Sequence, residues 1–170
     1  MDIIIVLVFV CLMCISISVG VFFATSSLSR SIWKRSSDTQ AVGGNGGSPS
    51  SLVCKENTFV TEFNGSAASY IDRISIKCSD GTILGPAGGS VGPFSVQSVD
   101  GFDKLVVRTG ALVDSIQFFN NNKELAKVGG NGGGGPTDLA CNGGRIMGVN
   151  TRSDSNINNI QVVCATQQPQ

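Results

Sequence analysis

Histidine is absent from all 170 residues. The chain therefore has no side chain that titrates unaided near neutral pH, no imidazole for a zinc site and no Ser-His-Asp relay, which leaves most hydrolytic mechanisms without a base. Charge is scarce as well: only 14% of residues carry one, and 12 Lys and Arg cancel 12 Asp and Glu. A neutral chain lacks the basic footprint of a nucleic-acid binder, so no nucleic-acid partner is expected. Aromatic residues make up 6%, with one Trp and one Tyr. Against these shortages stand 22 glycines and 41% hydrophobic residues, a composition too apolar for disorder and without the Gly-X-Y period of collagen. The length leaves room for one compact domain.

The longest stretch without charge lies at the start, between Asp2 and Arg30. Residues 3–23 form an apolar run that, as a helix rising about 1.5 Å per residue, spans roughly the 30 Å of a bilayer core. A cleaved signal peptide is the competing reading, but there is no basic leading region and Phe22 spoils the small-residue pattern before Ala24. The expected organisation is a transmembrane anchor over 1–29, a juxtamembrane linker over 30–41 with Trp33, Lys34 and Arg35 at the headgroup layer, a domain over 42–165 and a tail over 166–170. Cys11 and Cys14 fall inside the apolar run, where they read as small core-like residues or acylation sites. The side of the membrane stays open. Arg30, Lys34 and Arg35 after the run favour a cytoplasmic domain, whereas four cysteines in the domain and the glycosylation acceptor Asn64-Gly65-Ser66 favour the lumenal or extracellular side.

Beyond the linker, the chain repeats itself. Glycine clusters begin at Gly43, Gly88 and Gly129, reading Gly43-Gly44-Asn45-Gly46-Gly47, Gly88-Gly89-Ser90-Val91-Gly92 and Gly129-Gly130-Asn131-Gly132-Gly133. A second marker recurs around Asp72, Asp114 and Asn158, each set in alternating apolar and polar residues such as Ile71-Asp72-Arg73-Ile74-Ser75-Ile76. That alternation is the mark of half-buried antiparallel strands, and no helical stripe of useful length appears. Three such units bury their apolar faces only against one another, so the expected fold is all-β, a threefold prism or trefoil, with the period and the glycine placement favouring the prism. Ile74, Ile76, Leu105, Val107, Ile116, Phe118, Ile160 and Val162 are the expected inner face.

The segment Thr109-Gly110-Ala111-Leu112-Val113-Asp114-Ser115-Ile116-Gln117-Phe118, followed by Gly129-Gly130-Asn131-Gly132-Gly133, resembles the jacalin-related lectins, as do Phe63 to Asp72 and Gly85-Pro86 before Gly88-Gly89. The resemblance implies a β-prism of twelve short strands in three four-stranded antiparallel sheets, with a sugar held between a Gly-x-x-x-Asp loop and the next unit's double glycine. It places the best site at Gly110, Ala111, Leu112 and Asp114 with Gly129 and Gly130, the carboxylate lying in a turn and facing solvent. A second, weaker site is Asp72 with Gly88 and Gly89, because Ala68 stands where the motif has glycine and a left-handed backbone would exclude it. In the third unit Asp154 and Asn158 replace glycine and aspartate, with Gly43 and Gly44 as partners, and no sugar is expected. Aspartate and glycine between strands also serve as plain turn formers, so both roles stay open for Asp114.

Cys54 and Cys141 follow the glycine loops, while Cys78 and Cys164 each lie six residues past a marker, where the second unit has Asn120. Of three connectivities the repeat selects Cys54 to Cys78 and Cys141 to Cys164, each worth about 3 kcal/mol if oxidised. Zinc is a poor alternative without short CxxC knuckles, and no cofactor is implied. Two function classes follow. One is a membrane-anchored carbohydrate-binding module; the other is a membrane-anchored structural or assembly protein, such as a virion or envelope component, that docks a protein scaffold through the prism, with oligomers compatible with either. No base and nucleophile arrangement marks an enzyme.

Overall fold

The computed structural model describes residues 31–90 and 92–169. The expected anchor and its cysteines, Cys11 and Cys14, lie outside these residues. Among the described residues no helix is long and apolar enough to cross a membrane.

Among the described residues thirteen strands follow one another: β1 Ser31–Asp38, β2 Val42–Gly43, β3 Ser48–Val53, β4 Val60–Ala67, β5 Ile71–Cys78, β6 Ile83–Gly88, β7 Pro93–Gln97, β8 Lys104–Thr109, β9 Val113–Asn120, β10 Lys123–Gly129, β11 Thr137–Ala140, β12 Arg145–Ser153 and β13 Ile157–Pro169. They form three antiparallel sheets, ordered β6-β5-β4-β7, β10-β9-β8-β11 and β1-β13-β12-β3, with β2 also paired to β13. Alternation explains the inner strands: Ile74, Ile76, Leu105, Val107, Ile116, Phe118, Ile160 and Val162 are all fully buried. Between the sheets Phe63 meets Phe102 and Phe118, each at 5.1 Å between ring centroids. Burial of this apolar set is the main favourable term for the fold.

The sequence reading differs at both chain ends. Residues 31–38, read as linker, form β1, and the tail extends β13 to Pro169; the two pair from Ser31 with Pro169 to Asp38 with Val163. One sheet therefore has a fifth strand, and the domain begins at Ser31 rather than Val42. Neither segment alternates in polarity; the backbone ladder and one anchor hold them. That anchor is Trp33, edge-on to Phe59 at 5.6 Å, so its ring packs on the domain instead of standing free at a headgroup layer.

Both expected disulfides are formed, Cys54–Cys78 and Cys141–Cys164, with Cα separations of 5.8 and 5.3 Å. Each joins two sheets: Cys54 follows β3 and Cys78 ends β5, while Cys141 follows β11 and Cys164 lies in β13. The third junction carries the equivalent pair Ser98 and Asn120, linked by an Asn120 Nδ2 to Ser98 Oγ hydrogen bond of 3.1 Å. The prism is thus fastened at all three junctions, twice by sulfur and once by a hydrogen bond. Asn64 lies within the central strand β4 and not in a loop, and the Ser66 of its acceptor sequence is buried.

Candidate functional site

The three marker residues each occupy the second position of a strand: Asp72 in β5, Asp114 in β9 and Asn158 in β13. Each carbonyl accepts a hydrogen bond from the second glycine of the following or partnered cluster: Gly89 N to Asp72 O at 2.7 Å, Gly130 N to Asp114 O at 2.9 Å and Gly44 N to Asn158 O at 2.8 Å. The pairings expected from the motif are therefore assembled, and each lies within one sheet rather than between two. The loops also touch in a ring. A Cβ on Gly130 would lie 2.4 Å from Ser69 O, one on Gly89 2.4 Å from Ser155 O, and one on Gly44 2.4 Å from Ala111 O. All three loops consequently share one pole of the prism.

At Asp114 the turn from β8 to β9 is closed by Gly110 N donating to Leu112 O at 2.9 Å. The 131–134 loop then folds over the side chain, held by Gly134 N to Thr109 O at 2.9 Å and by Arg108 Nε to Gly132 O at 3.0 Å. Glycine is required there by close approach: a Cβ on Gly132 would fall 2.4 Å from Asp114 Oδ1 and one on Gly133 2.5 Å from Oδ2. Asp114 is in consequence 5% exposed, not turned to solvent as the sequence suggested. Among the described residues no protein group donates to its carboxylate, and the amides of Ala111, Leu112, Asn131, Gly132 and Gly133 have no protein acceptor. Gly110 leaves room beside this acceptor, its absent Cβ falling 4.0 Å from Oδ2.

Asp72 differs. Its Oδ1 accepts a 2.6 Å hydrogen bond from Asn156 Nδ2, and its Oδ2 is sealed from solvent without a partner. Neither Asp114 oxygen is sealed in that way. The expected backbone obstacle at Ala68 does not exist: neither Ala68 nor Gly110 has positive φ, and Ala68 N donates to Tyr70 O at 3.0 Å as Gly110 N does to Leu112 O. At Asn158 the Oδ1 is buried without a partner, and Arg152 holds the overlying glycine loop through Asn45 O, Gly46 O and Gly47 O. Sequence reasoning missed the second half of the glycine clusters and the arginines. The identical 43–47 and 129–133 clusters, each with an arginine six residues before the marker, carried that signal.

No protein-family model matches the chain, and no curated protein matches it. Solved structures do. The Malaysian banana lectin superposes with a TM-score of 0.65 at 21% identity, covering 79% of this chain and 99% of the lectin. A mannose-binding jacalin-related lectin from Ananas comosus gives 0.64 at 21%, covering 79% and 98%. A mannose-specific jacalin-related lectin from Morus nigra, solved with mannose, gives 0.65 at 18%, covering 78% and 96%. Three antiparallel sheets around one apolar core, shared over nearly the whole of each of these chains, give residues 31–169 the β-prism fold of the jacalin-related lectins.

Proposed function

We propose that the domain is a membrane-anchored carbohydrate-binding module, without catalysis, whose sugar site is Asp114 with the 110–112 and 129–133 loops. One observation carries this reading: Asp114 is 5% exposed with neither oxygen sealed from solvent, its carboxylate receives no hydrogen bond from the described residues, and the two loops beside it carry amides without a protein acceptor among them. An enclosed acceptor without a donor is costly, and a pyranose supplies both adjacent hydroxyl donors for the carboxylate and acceptors for the amides. No proton transfer or covalent step is involved. The mannose named with the Ananas and Morus lectins makes mannose the first sugar to test.

β13 runs 13 residues from the marker pole to Pro169, roughly 40 Å at ~3.3 Å per residue, and Ser31 pairs with Pro169. Ser31, where the described domain begins, therefore lies at the pole opposite the Asp114 site. Two inter-sheet disulfides support a lumenal or extracellular domain.

Mannose titration of the full chain in a detergent without a sugar headgroup tests the reading. Binding is expected for the unaltered chain, and Asp114→Ala should weaken it at least about 30-fold, since loss of a charged acceptor costs roughly 2 kcal/mol or more. If the unaltered chain binds no sugar at millimolar concentration, the prism is instead a scaffold-docking block, the reading favoured by the closed Asp72 and the substituted Asn158.

A further inference from the structure

The three marker loops are related by the repeat, so Leu112, Asn156 and Tyr70 occupy equivalent places. Because Ser155 abuts Gly89 as Ser69 abuts Gly130 and Ala111 abuts Gly44, each loop presents one of these residues beside the next sheet's marker. Asn156 stands beside Asp72, Tyr70 beside the Asp114 site and Leu112 beside Asn158. Of the three, only asparagine is short and carries N–H donors. Its side chain is aimed: Ser155 Oγ donates to Asn156 Oδ1 at 3.2 Å, the Asn156 backbone N–H donates to Asp154 Oδ1 at 3.2 Å, and the side-chain Nδ2 donates to Asp72 Oδ1 at 2.6 Å. Asp154, which replaces the motif's glycine, thereby fixes the loop that carries Asn156.

The turn and double glycine of the Asp72 site repeat those of the Asp114 site, although Ser66 stands in the place of Arg108 and Ser90-Val91 in that of Asn131-Gly132. The turn closes through Ala68 N to Tyr70 O, Gly89 N holds Asp72 O, and the amides of Ser69 and Tyr70 have no acceptor among the described residues. Asp72 is 7% exposed, and its Oδ2 stays unpartnered even with Asn156 in place. One amide thus satisfies one of two acceptors that a pair of sugar hydroxyls would satisfy together.

We infer that Asn156 is an internal ligand of the Asp72 site, its Nδ2 standing where a sugar hydroxyl would donate, and that it keeps a second pyranose site latent. The inference rests on the lectin reading of the marker sites. Covalent attachment gives Asn156 a high effective concentration, which a weakly bound monosaccharide does not overcome.

The test is calorimetric titration with mannose of the full chain, Asn156→Ala, Asp114→Ala and the Asp114→Ala/Asn156→Ala pair. Asn156→Tyr, which copies the residue beside Asp114, serves as second variant, and the thermal melt of each protein verifies folding. The expected stoichiometry is one for the unaltered chain, two for Asn156→Ala and Asn156→Tyr, none for Asp114→Ala, and one for the pair, lost again on adding Asp72→Ala. A chain that binds one mannose while neither Asn156 variant gains a second overturns the inference and leaves the Asp114 reading intact. Binding restored in the pair but absent from the unaltered chain supports the latent site and removes Asp114 as the open one. No binding by any of these proteins overturns both.

Discussion

Replacing Asp114 with Asn should make the domain more stable while it loses sugar. The two side chains have the same shape, and the molecule already carries an amide at the equivalent Asn158, where a Cβ on Gly46 would lie 2.9 Å from Nδ2, against 2.4 Å between one on Gly132 and Asp114 Oδ1. The change removes the charge of a residue that is 5% exposed and receives no side-chain hydrogen bond from the described residues. Relief of an enclosed, unpartnered acceptor is worth roughly 1 to 3 kcal/mol. For a domain of this size about 2 kcal/mol raises Tm by roughly 5 to 10 °C. Thermal melts of the full chain and Asp114→Asn, with and without mannose, read both effects: the variant should melt higher, and mannose should raise only the unaltered chain's Tm. A variant that melts below the unaltered chain would show that the carboxylate holds the 131–134 loop in place, which is the plain turn-forming role, and the argument from an unsatisfied acceptor would fail.

Two further predictions follow from the junctions and the surface. Ser98→Cys with Asn120→Cys should close a third inter-sheet bridge by analogy with Cys54–Cys78 and Cys141–Cys164; its loop overlaps neither of theirs, so about 3 kcal/mol of chain entropy, less about 1 kcal/mol for each of the Asn120–Ser98 and Ser98–Gly101 hydrogen bonds, leaves a gain of about 1 kcal/mol. Thiol titration and urea unfolding check it, and free thiols persisting under oxidising conditions would refute the equivalence of the three junctions. At the surface, hydrogen bonds from Lys55 and then from Thr82 lower the Asp80 carboxyl to about 2 from its ordinary 3.8. Because the folded value is depressed, its contribution to stability is present above about pH 4 and lost as pH falls through about 2; Lys55→Ala should move the Asp80 titration upward in an NMR pH series.

The sequence by itself determined the local chemistry of this protein. Period-2 alternation around Asp72, Asp114 and Asn158 specified strands and their buried faces, because a pleated strand turns successive side chains to opposite sides. The repeated clusters specified three similar sheets, and cysteines at matching places in the repeat specified their partners. The motif also paired Asp114 with Gly129-Gly130, since both lie on neighbouring strands of one sheet. Other features depended on contacts between residues far apart in the chain. β1 has no alternation to read, and it forms because the end of β13 offers an unpaired backbone edge beside Phe59. The enclosure of Asp114 arises when the 131–134 loop closes over it, and the closure of Asp72 comes from Asn156, 84 residues away. Composition and periodicity describe each strand alone. Which loop covers which carboxylate is decided only when three sheets meet at one pole, and that meeting separates an open acceptor from an occupied one.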